Sequence, residues 1–554
     1  MDSMRKLDKL EKATHFNRSD FFKLSFAILF ILLTAIIALY YSSSIDHGIY
    51  ILIVATMVGG YMAINIGAND VANNVGPAVG SKALTMGGAI LIAAICEAGG
   101  AIIAGGDVVD TIRSGIVSPT IATDQETFIN IMLAALISGA IWLHLATAVG
   151  APVSTTHSIV GGILGAGIMA GGFDIVNWGE MGKIVSSWVI SPLLGGGIAA
   201  AFLFFIKRTI TYKEDKLKAA KTVVPLLLFV MSAAFSMYMI SKGLKKVITL
   251  SLPMSIAVSL VIGIVVFLIC RPLIAMAASK MDNTKEEVGK FFTIPLIFAA
   301  ALLSFAHGTN DVANAIGPLA AINDTLKSIE TGIATDAKAT VPLWIMIVGG
   351  FGISLGLALY GPKLIRTVGS EITDLDQVRA FCVAMSAAVT VLVASALGLP
   401  VSSTHIAVGA VFGVGFLREG IKKHYYEIEQ NIIIAHDGVE TQKINTFLAE
   451  FRKAPLARKQ LILKGLKQRR ESEEALAAAG VVVGTDDGLQ LTKMSELPTL
   501  SKKDQKQLKK AYKEELVKRS AFNKIVATWL ITVPAAAILS GLTFLLLRWA
   551  QTLG

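Results

Sequence analysis

The chain has 554 residues, of which 54% are hydrophobic and only 16% charged, with a mean hydropathy of +0.64. Soluble domains carry about 25% charged residues, so an ordinary water-soluble enzyme is disfavoured, and the same figures exclude a disordered chain, a collagen and a disulfide scaffold. The net charge of +10 lies between and beyond the apolar runs; 21 Lys and Arg face 15 Asp and Glu within 417–520, with few aromatics among them, which fits lysine retained at the cytoplasmic face of a membrane protein better than a nucleic-acid partner.

About 20 apolar residues cross the roughly 30 Å of bilayer hydrocarbon. In chain order the predicted crossings are 24–41, 49–66, 86–105, 127–149, 184–206, 222–241, 249–270, 291–308, 341–360, 378–398 and 523–547. The first follows Arg5, Lys6, Lys9, Lys12, Arg18 and Lys23. Its apolar stretch is too long for a signal peptide, and Tyr40-Tyr41-Ser42 offers no small-residue cleavage site, so it reads as a retained helix. Cys96, Cys270 and Cys382 sit alone in apolar runs and are expected only to pack. The segment 417–520 reads as largely helical, with Glu514 and Lys518 one turn apart. Within it, Gly484-Thr-Asp-Asp-Gly488 reads as a turn and Lys502–Lys513 as a solvated charged face.

Internal repetition organises the rest. Gly67-Ala-Asn-Asp-Val-Ala-Asn-Asn-Val-Gly-Pro77 returns 241 residues on as Gly308-Thr-Asn-Asp-Val-Ala-Asn-Ala-Ile-Gly-Pro318. Pro152-Val-Ser-Thr-Thr-His157 returns 248 residues on as Pro400-Val-Ser-Ser-Thr-His405. Lys183-Ile-Val-Ser-Ser-Trp188 returns more weakly, 341 residues on, as Lys524-Ile-Val-Ala-Thr-Trp529. Three pairs in one order imply two homologous halves, and the jump in offset places an insertion of 93 residues late in the second. The expected organisation is a basic segment and extra helix at 1–48, a first repeat at 49–206 and connecting helices at 207–290. A second repeat follows at 291–416 plus 521–550, with 417–520 as a cytoplasmic insert.

Loop charge gives the orientation. The Lys/Arg-rich stretches 1–23, 207–221 and 417–520 belong inside, whereas 172–183 and 323–340 are sparsely basic and suit the outside. The halves are then inverted with respect to each other if 151–171 and 400–420 also traverse as broken helices, a scheme that leaves Lys242, Lys245 and Lys246 outside. The expected fold is an all-α integral membrane protein, an inverted-topology repeat with broken helices or hairpins at the midplane and about 12–13 membrane segments.

The chemistry sits in polar residues where apolar ones belong. An ionised carboxylate at the bilayer centre costs at least about 2.5–3.5 kcal/mol, yet Asp70 and Asp311 occupy matching places in apolar stretches, each with Asn at −1 and +3 and no basic residue in its motif. A mobile cation is their natural partner, since carboxylate, Asn and backbone carbonyl oxygens are hard ligands. Gly67, Gly76 and Pro77, with Gly308, Gly317 and Pro318, are expected to break each helix and free backbone groups for the same purpose. In the second motif proline opens a helix, and Ser154, Thr155 and Thr156 from one half, with Ser402, Ser403 and Thr404 from the other, offer hydroxyls and free amides at helix starts, where the dipole favours an anion. Hydroxyls without an arginine clamp suit a tetrahedral oxyanion that must be released. The bland rival is that Ser, Thr and Asn only glue helices together. Glu97, inside a predicted crossing and without an acidic counterpart in the second half, is a candidate for a cation site or gating. His157 and His405 are candidates for coupling or gating, with a hydrogen-bonded histidine fixing the helix start as the simpler reading.

On the two Gly-x-Asn-Asp-Val-Ala-Asn and two Pro-Val-Ser-[Ser/Thr]-Thr-His motifs, the chain resembles the inorganic phosphate transporter (PiT) family of cation-coupled symporters, over roughly 49–206, 291–416 and 523–547. The resemblance implies phosphate held between the paired hairpins at Ser154, Thr155, Thr156, Ser402, Ser403 and Thr404. It implies cation sites lined by Asn69, Asp70, Asn73, Asn310, Asp311 and Asn314, with sodium at Asp70, Asn73, Asp311 and Asn314. Some bacterial relatives run on protons and carry metal-phosphate, so the transported coupling ion is Na+ or H+, and no other cofactor is expected. Nothing carries over to 417–520. The expected function is secondary active phosphate symport in the plasma (inner) membrane, with the N terminus and the insert cytoplasmic. A passive channel or a carrier of another oxyanion such as sulfate or arsenate is the alternative. An intramembrane enzyme is disfavoured, because no His-Glu-x-x-His or Walker motif is present. The expected partners are phosphate, the coupling ion and the lipid bilayer, with a homo-oligomer left open and no nucleic acid.

Overall fold

Lipid supplies no hydrogen bonds to a backbone, so a chain this apolar must satisfy its amides within each segment, and the helix does that. The computed structural model describes residues 18–41, 48–117, 124–148, 153–243, 250–332, 340–371, 375–434 and 519–553. Pro152, Lys245, Lys246, the Gly484–Gly488 turn, the Lys502–Lys513 face and the Glu514–Lys518 pair lie outside these residues.

An extra helix α1 (Arg18–Tyr41) precedes the first half, which runs α2 (Ile49–Gly80), α3 (Met86–Ala104), α4 (Gly106–Asp110), α5 (Gln125–Ala148), α6 (Thr155–Gly171) and α7 (Trp178–Ile206). Then come α8 (Lys216–Tyr238), α9 (Leu252–Ala278) and α10 (Lys285–Lys290). The second half is α11 (Thr293–Thr331), α12 (Leu343–Glu371), α13 (Gln377–Ala396), α14 (Ser403–Ile434) and α15 (Arg519–Leu553). Wide single turns at Thr111–Gly115, Lys207–Thr211 and Met239–Gly243 extend α4, α7 and α8. Among the described residues there is no strand, only one bridge between Val117 and Val176. Eleven helices among the described residues are long and apolar enough to cross a membrane. Their outward faces present Leu193, Val261, Leu268, Leu530 and Leu546, while Asn, Asp, Ser and Thr side chains are buried between them, the reverse of a soluble protein.

The halves interlock. α2 packs along α12 and α11 along α3; likewise α6 packs along α15 and α14 along α7. Every one of these pairs joins an element of one repeat to an element of the other.

The expectation of breaks at Gly67, Gly76, Pro77, Gly308, Gly317 and Pro318 is not met. α2 and α11 run without interruption through both motifs, with Pro77 and Pro318 inside them. The glycines serve close approach instead: a Cβ on Gly67 would overlap the carbonyl of Ile353 on α12, and one on Gly308 the carbonyl of Glu97 on α3. The prolines lack the amide that would bond to the carbonyls of Asn73 and Asn314 four residues earlier, so backbone oxygens are freed without unwinding. The interruption falls at the second motif, where residues 397–402 are non-helical between α13 and α14. Gly308→Ala is therefore expected to destabilise the purified protein by about 1–3 kcal/mol or more, measured by thermal unfolding in detergent. Gly76→Ala, whose Cβ would meet nothing within 4 Å, should unfold like the wild type.

Candidate functional site

The site is assembled where α2 and α11 meet the starts of α6 and α14. Ser154 and Ser402 each precede a helix and accept a hydrogen bond from the backbone amide three residues on, His157 N at 3.1 Å and His405 N at 3.3 Å. Each hydroxyl thus caps its helix and fixes the next two residues in place. The histidine rings do not perform that task. His157 packs against Trp188, with centroids 3.9 Å apart, and His405 against Trp529 at 3.7 Å. The two imidazoles meet edge to face at 4.4 Å, so matching residues of both halves form one aromatic plug.

Beyond the caps, hydroxyls of the hairpins meet the Asn-Asp motifs, Thr404, Thr155 and Thr156 reaching the opposite half and Ser403 its own. Thr404 Oγ1 donates to Asp70 Oδ1 at 3.0 Å and accepts from Asn73 Nδ2 at 2.9 Å. Ser403 Oγ donates to Asp311 Oδ2 at 2.8 Å. Asn314 Nδ2 lies 3.1 Å from both Thr155 Oγ1 and Thr156 Oγ1, and Thr156 Oγ1 donates to the Val401 carbonyl at 2.9 Å. Asp70, Asn73, Asp311 and Asn314 are thereby brought together with Thr155, Thr156, Ser403 and Thr404. The other two asparagines turn elsewhere. Asn69 donates to Thr147 on α5 at 3.0 Å. Asn310 holds the turn before α14, donating to Ser395 Oγ at 3.0 Å and the Leu399 carbonyl at 3.1 Å.

The sequence reading missed the centre of this network. His307 Nε2 lies 2.9 Å from Asp311 Oδ2 and 3.7 Å from Asp70 Oδ2, and Nδ1 lies 3.2 Å from Glu97 Oε2. Glu97 Oε1 also accepts from Asn74 Nδ2 at 2.7 Å. Asp70, Glu97, His307 and Asp311 are all 0% exposed, so no bulk water screens them. Both imidazole nitrogens face carboxylates, so whichever nitrogen carries a proton has an acceptor. The signal was a lone histidine directly before the second motif. It stood outside the repeat, because the matching residue before Gly67 is Ile66. Glu97 shows the same asymmetry. Gly308 abuts the Glu97 carbonyl as Gly67 abuts that of Ile353, so the α3–α11 contact carries Glu97 and His307 where the matching α2–α12 contact carries Ile353 and Ile66.

Oxygens remain for a cation. Asp70 Oδ2, Asn74 Oδ1, Asp311 Oδ1 and Asn314 Oδ1 are buried with no hydrogen-bond donor among the described residues. Ligand atoms of Asp70, His307 and Asp311 lie within 4.8 Å of one another. Orphaned buried carboxylate and amide oxygens fit a small hard cation and suit a soft metal poorly.

Interlocked helices long enough to cross a membrane, packed around a buried polar centre, give the frame of a membrane transport protein. The chain belongs to the Phosphate transporter family, whose family model matches residues 66–540. A "Putative phosphate permease" of Helicobacter pylori (strain J99) is 52% identical over 552 residues, covering 99% of both chains. One of Pyrococcus abyssi is 42% identical over 391 residues, 69% of this chain and 93% of the relative. A solved structure of a sodium-dependent phosphate transporter is 32% identical, with a TM-score of 0.68, covering 90% of this chain and 99% of that one. The protein is thus an integral membrane transporter of the phosphate class and not an enzyme.

Proposed function

We propose that the protein is a secondary active symporter in which a cation, sodium first among the candidates, drives phosphate across the membrane by alternating access. One observation carries this reading: the hydroxyls of Ser403 and Thr404 donate to the carboxylates of Asp311 and Asp70. A cation drawn to the orphaned oxygens of those carboxylates neutralises their charge, weakens their hold on the O–H donors and so frees the hydroxyls. The released hydroxyls, with those of Thr155 and Thr156, are then able to bind an oxyanion, so each cargo prepares the site for the other. Asp70, Asn73, Asp311 and Asn314 would hold the cation. Ser154 and Ser402, committed to their caps, would act by aiming the hairpins. The duplicated motifs and the mutual packing of the halves support inverted repeats that rock about this centre, in an inner membrane with the N terminus and the 417–520 insert cytoplasmic. The sodium-dependent structural relative supports sodium as the coupling ion.

The imidazole of His307 among three carboxylates favours a second reading, coupling to protons. Labelled-phosphate uptake into proteoliposomes, with sodium and proton gradients imposed separately, decides between them. Accumulation driven by sodium at equal pH is expected. Accumulation under a proton gradient alone supports the second reading, and equilibration without accumulation under either gradient overturns symport in favour of a passive pore.

A further inference from the structure

A second polar cavity lies away from the buried site, at the end of the molecule where α7 stops and α8, α10 and α13 begin. It encloses about 510 Å³, and no residue of the hydroxyl–carboxylate network lines it. Arg418, on its wall, stands 14 residues beyond Thr404 on α14, or about 21 Å along the helix. The lining carries Lys207, Lys216, Lys285, Lys290, Arg379 and Arg418 against two carboxylates, Glu286 and Asp376. Burial pushes the Asp376 carboxyl up, but the side-chain hydrogen bond and charge of Arg379 outweigh it and hold the group below the usual range. Asp376 therefore remains ionised and is already engaged, at 3.0 Å from Arg379 Nε. Lys290 is likewise paired, with Glu287. Among the described residues no carboxylate stands within ion-pair distance of Lys207 or Lys285. Walls of predominantly one sign around a confined volume concentrate an opposite charge; the starts of α8 and α13 are already capped by Asp215 and Asp376, so the basic side chains supply the attraction.

We propose that this cavity is a binding site for an anion bearing two or more phosphate groups, separate from the transport site. Excess positive charge of about three, six bases against Glu286, Asp376 and the Glu287 paired with Lys290, exceeds what one phosphate dianion neutralises, and the volume admits a larger ligand. Lysine point charges and two arginine forks are the groups that recognise phosphate oxygens. The wall combines the end of α7 from the first repeat, α8 and α10 from the connector, and α13 and α14 from the second. A ligand seated there ties the two repeats together at one end and resists their relative motion. The same chemistry has two sources, a soluble oligophosphate or the two-phosphate headgroup of cardiolipin.

The test uses the full-length protein in phosphatidylcholine nanodiscs titrated with inorganic pyrophosphate. The expected result is saturable binding by the wild type, weakened roughly tenfold or more in K207Q/K285Q and retained in K207R/K285R, with equal thermal unfolding of all three confirming intact folding. If the headgroup is the occupant, native mass spectrometry retains cardiolipin on the wild type and K207R/K285R but loses it from K207Q/K285Q, whatever pyrophosphate does. Equal pyrophosphate binding and equal cardiolipin retention by wild type and K207Q/K285Q would overturn the proposal. Because the readout is the difference between proteins that share an unaltered buried site, it stands independently of whether cations drive transport.

Discussion

Asp311→Asn is expected to lower cation-driven phosphate uptake by about 100-fold or more while the protein still inserts and purifies. Asp311 Oδ2 receives the Ser403 hydroxyl at 2.8 Å and lies 2.9 Å from His307 Nε2. Amide for carboxylate keeps the shape but removes the charge that a cation requires. It also places an N–H donor where two donors already point. Breaking one side of a buried charged pair costs about 3–5 kcal/mol, and the loss falls on the oxygens assigned to coupling. Asp70→Asn should act in the same direction but less severely, since His307 is farther from Asp70, at 3.7 Å. Initial rates of labelled-phosphate uptake into proteoliposomes, with and without a sodium gradient, measure both. Wild-type kinetics in Asp311→Asn would remove the assignment of cation binding to this carboxylate.

A double-mutant cycle on His307 and Glu97 should give the largest effect on stability. His307→Ile alone, or Glu97→Ile alone, leaves a fully buried ionisable partner and is expected to destabilise the folded protein by about 3–5 kcal/mol. The pair His307→Ile with Glu97→Ile recreates the Ile66 and Ile353 arrangement of the other half, where both isoleucines are 0% exposed. It should therefore recover about 2–3 kcal/mol relative to the sum of the single changes, although Asn74 loses its acceptor and phosphate uptake stays impaired. Thermal or denaturant unfolding of the four proteins in one detergent gives the coupling energy. Additive single effects would mean that the imidazole and the carboxylate do not stabilise each other.

The contrast between these residues explains what the sequence revealed. Asp70, Asp311 and the hydroxyl runs were legible because they are duplicated and because polar groups in apolar stretches demand a reason. The membrane class followed from length and hydropathy alone. His307 escaped for the same reason the others were found: a search for repeats reveals what recurs, and its counterpart is Ile66. Glu97 was noticed only as an intramembrane carboxylate, since its partner comes from a helix 210 positions away in the chain. The helix breaks were misplaced because Gly67 and Gly308 permit either unwinding or tight apposition, and sequence spacing does not distinguish these. Which one occurs depends on the carbonyls of Ile353 and Glu97 lying directly opposite, a tertiary fact. The hairpin was easier, because a capping serine specifies a helix start locally, although Pro400 stands two residues before the cap Ser402 and does not open the helix itself.

The paired caps and crossed hydroxyl bonds also bear on turnover. Each O–H that an incoming oxyanion would recruit from Ser403, Thr404 or Thr156 has an internal acceptor of its own: Asp311, Asp70 or the Val401 carbonyl. Capture is then a swap of acceptors, and the net gain per bond is of the order of 1 kcal/mol, well below the several kcal/mol of an isolated bond in a dry medium. On the proposed function, such a pocket is expected to grip briefly and release quickly on the far side, because the departing anion's donors have somewhere to return.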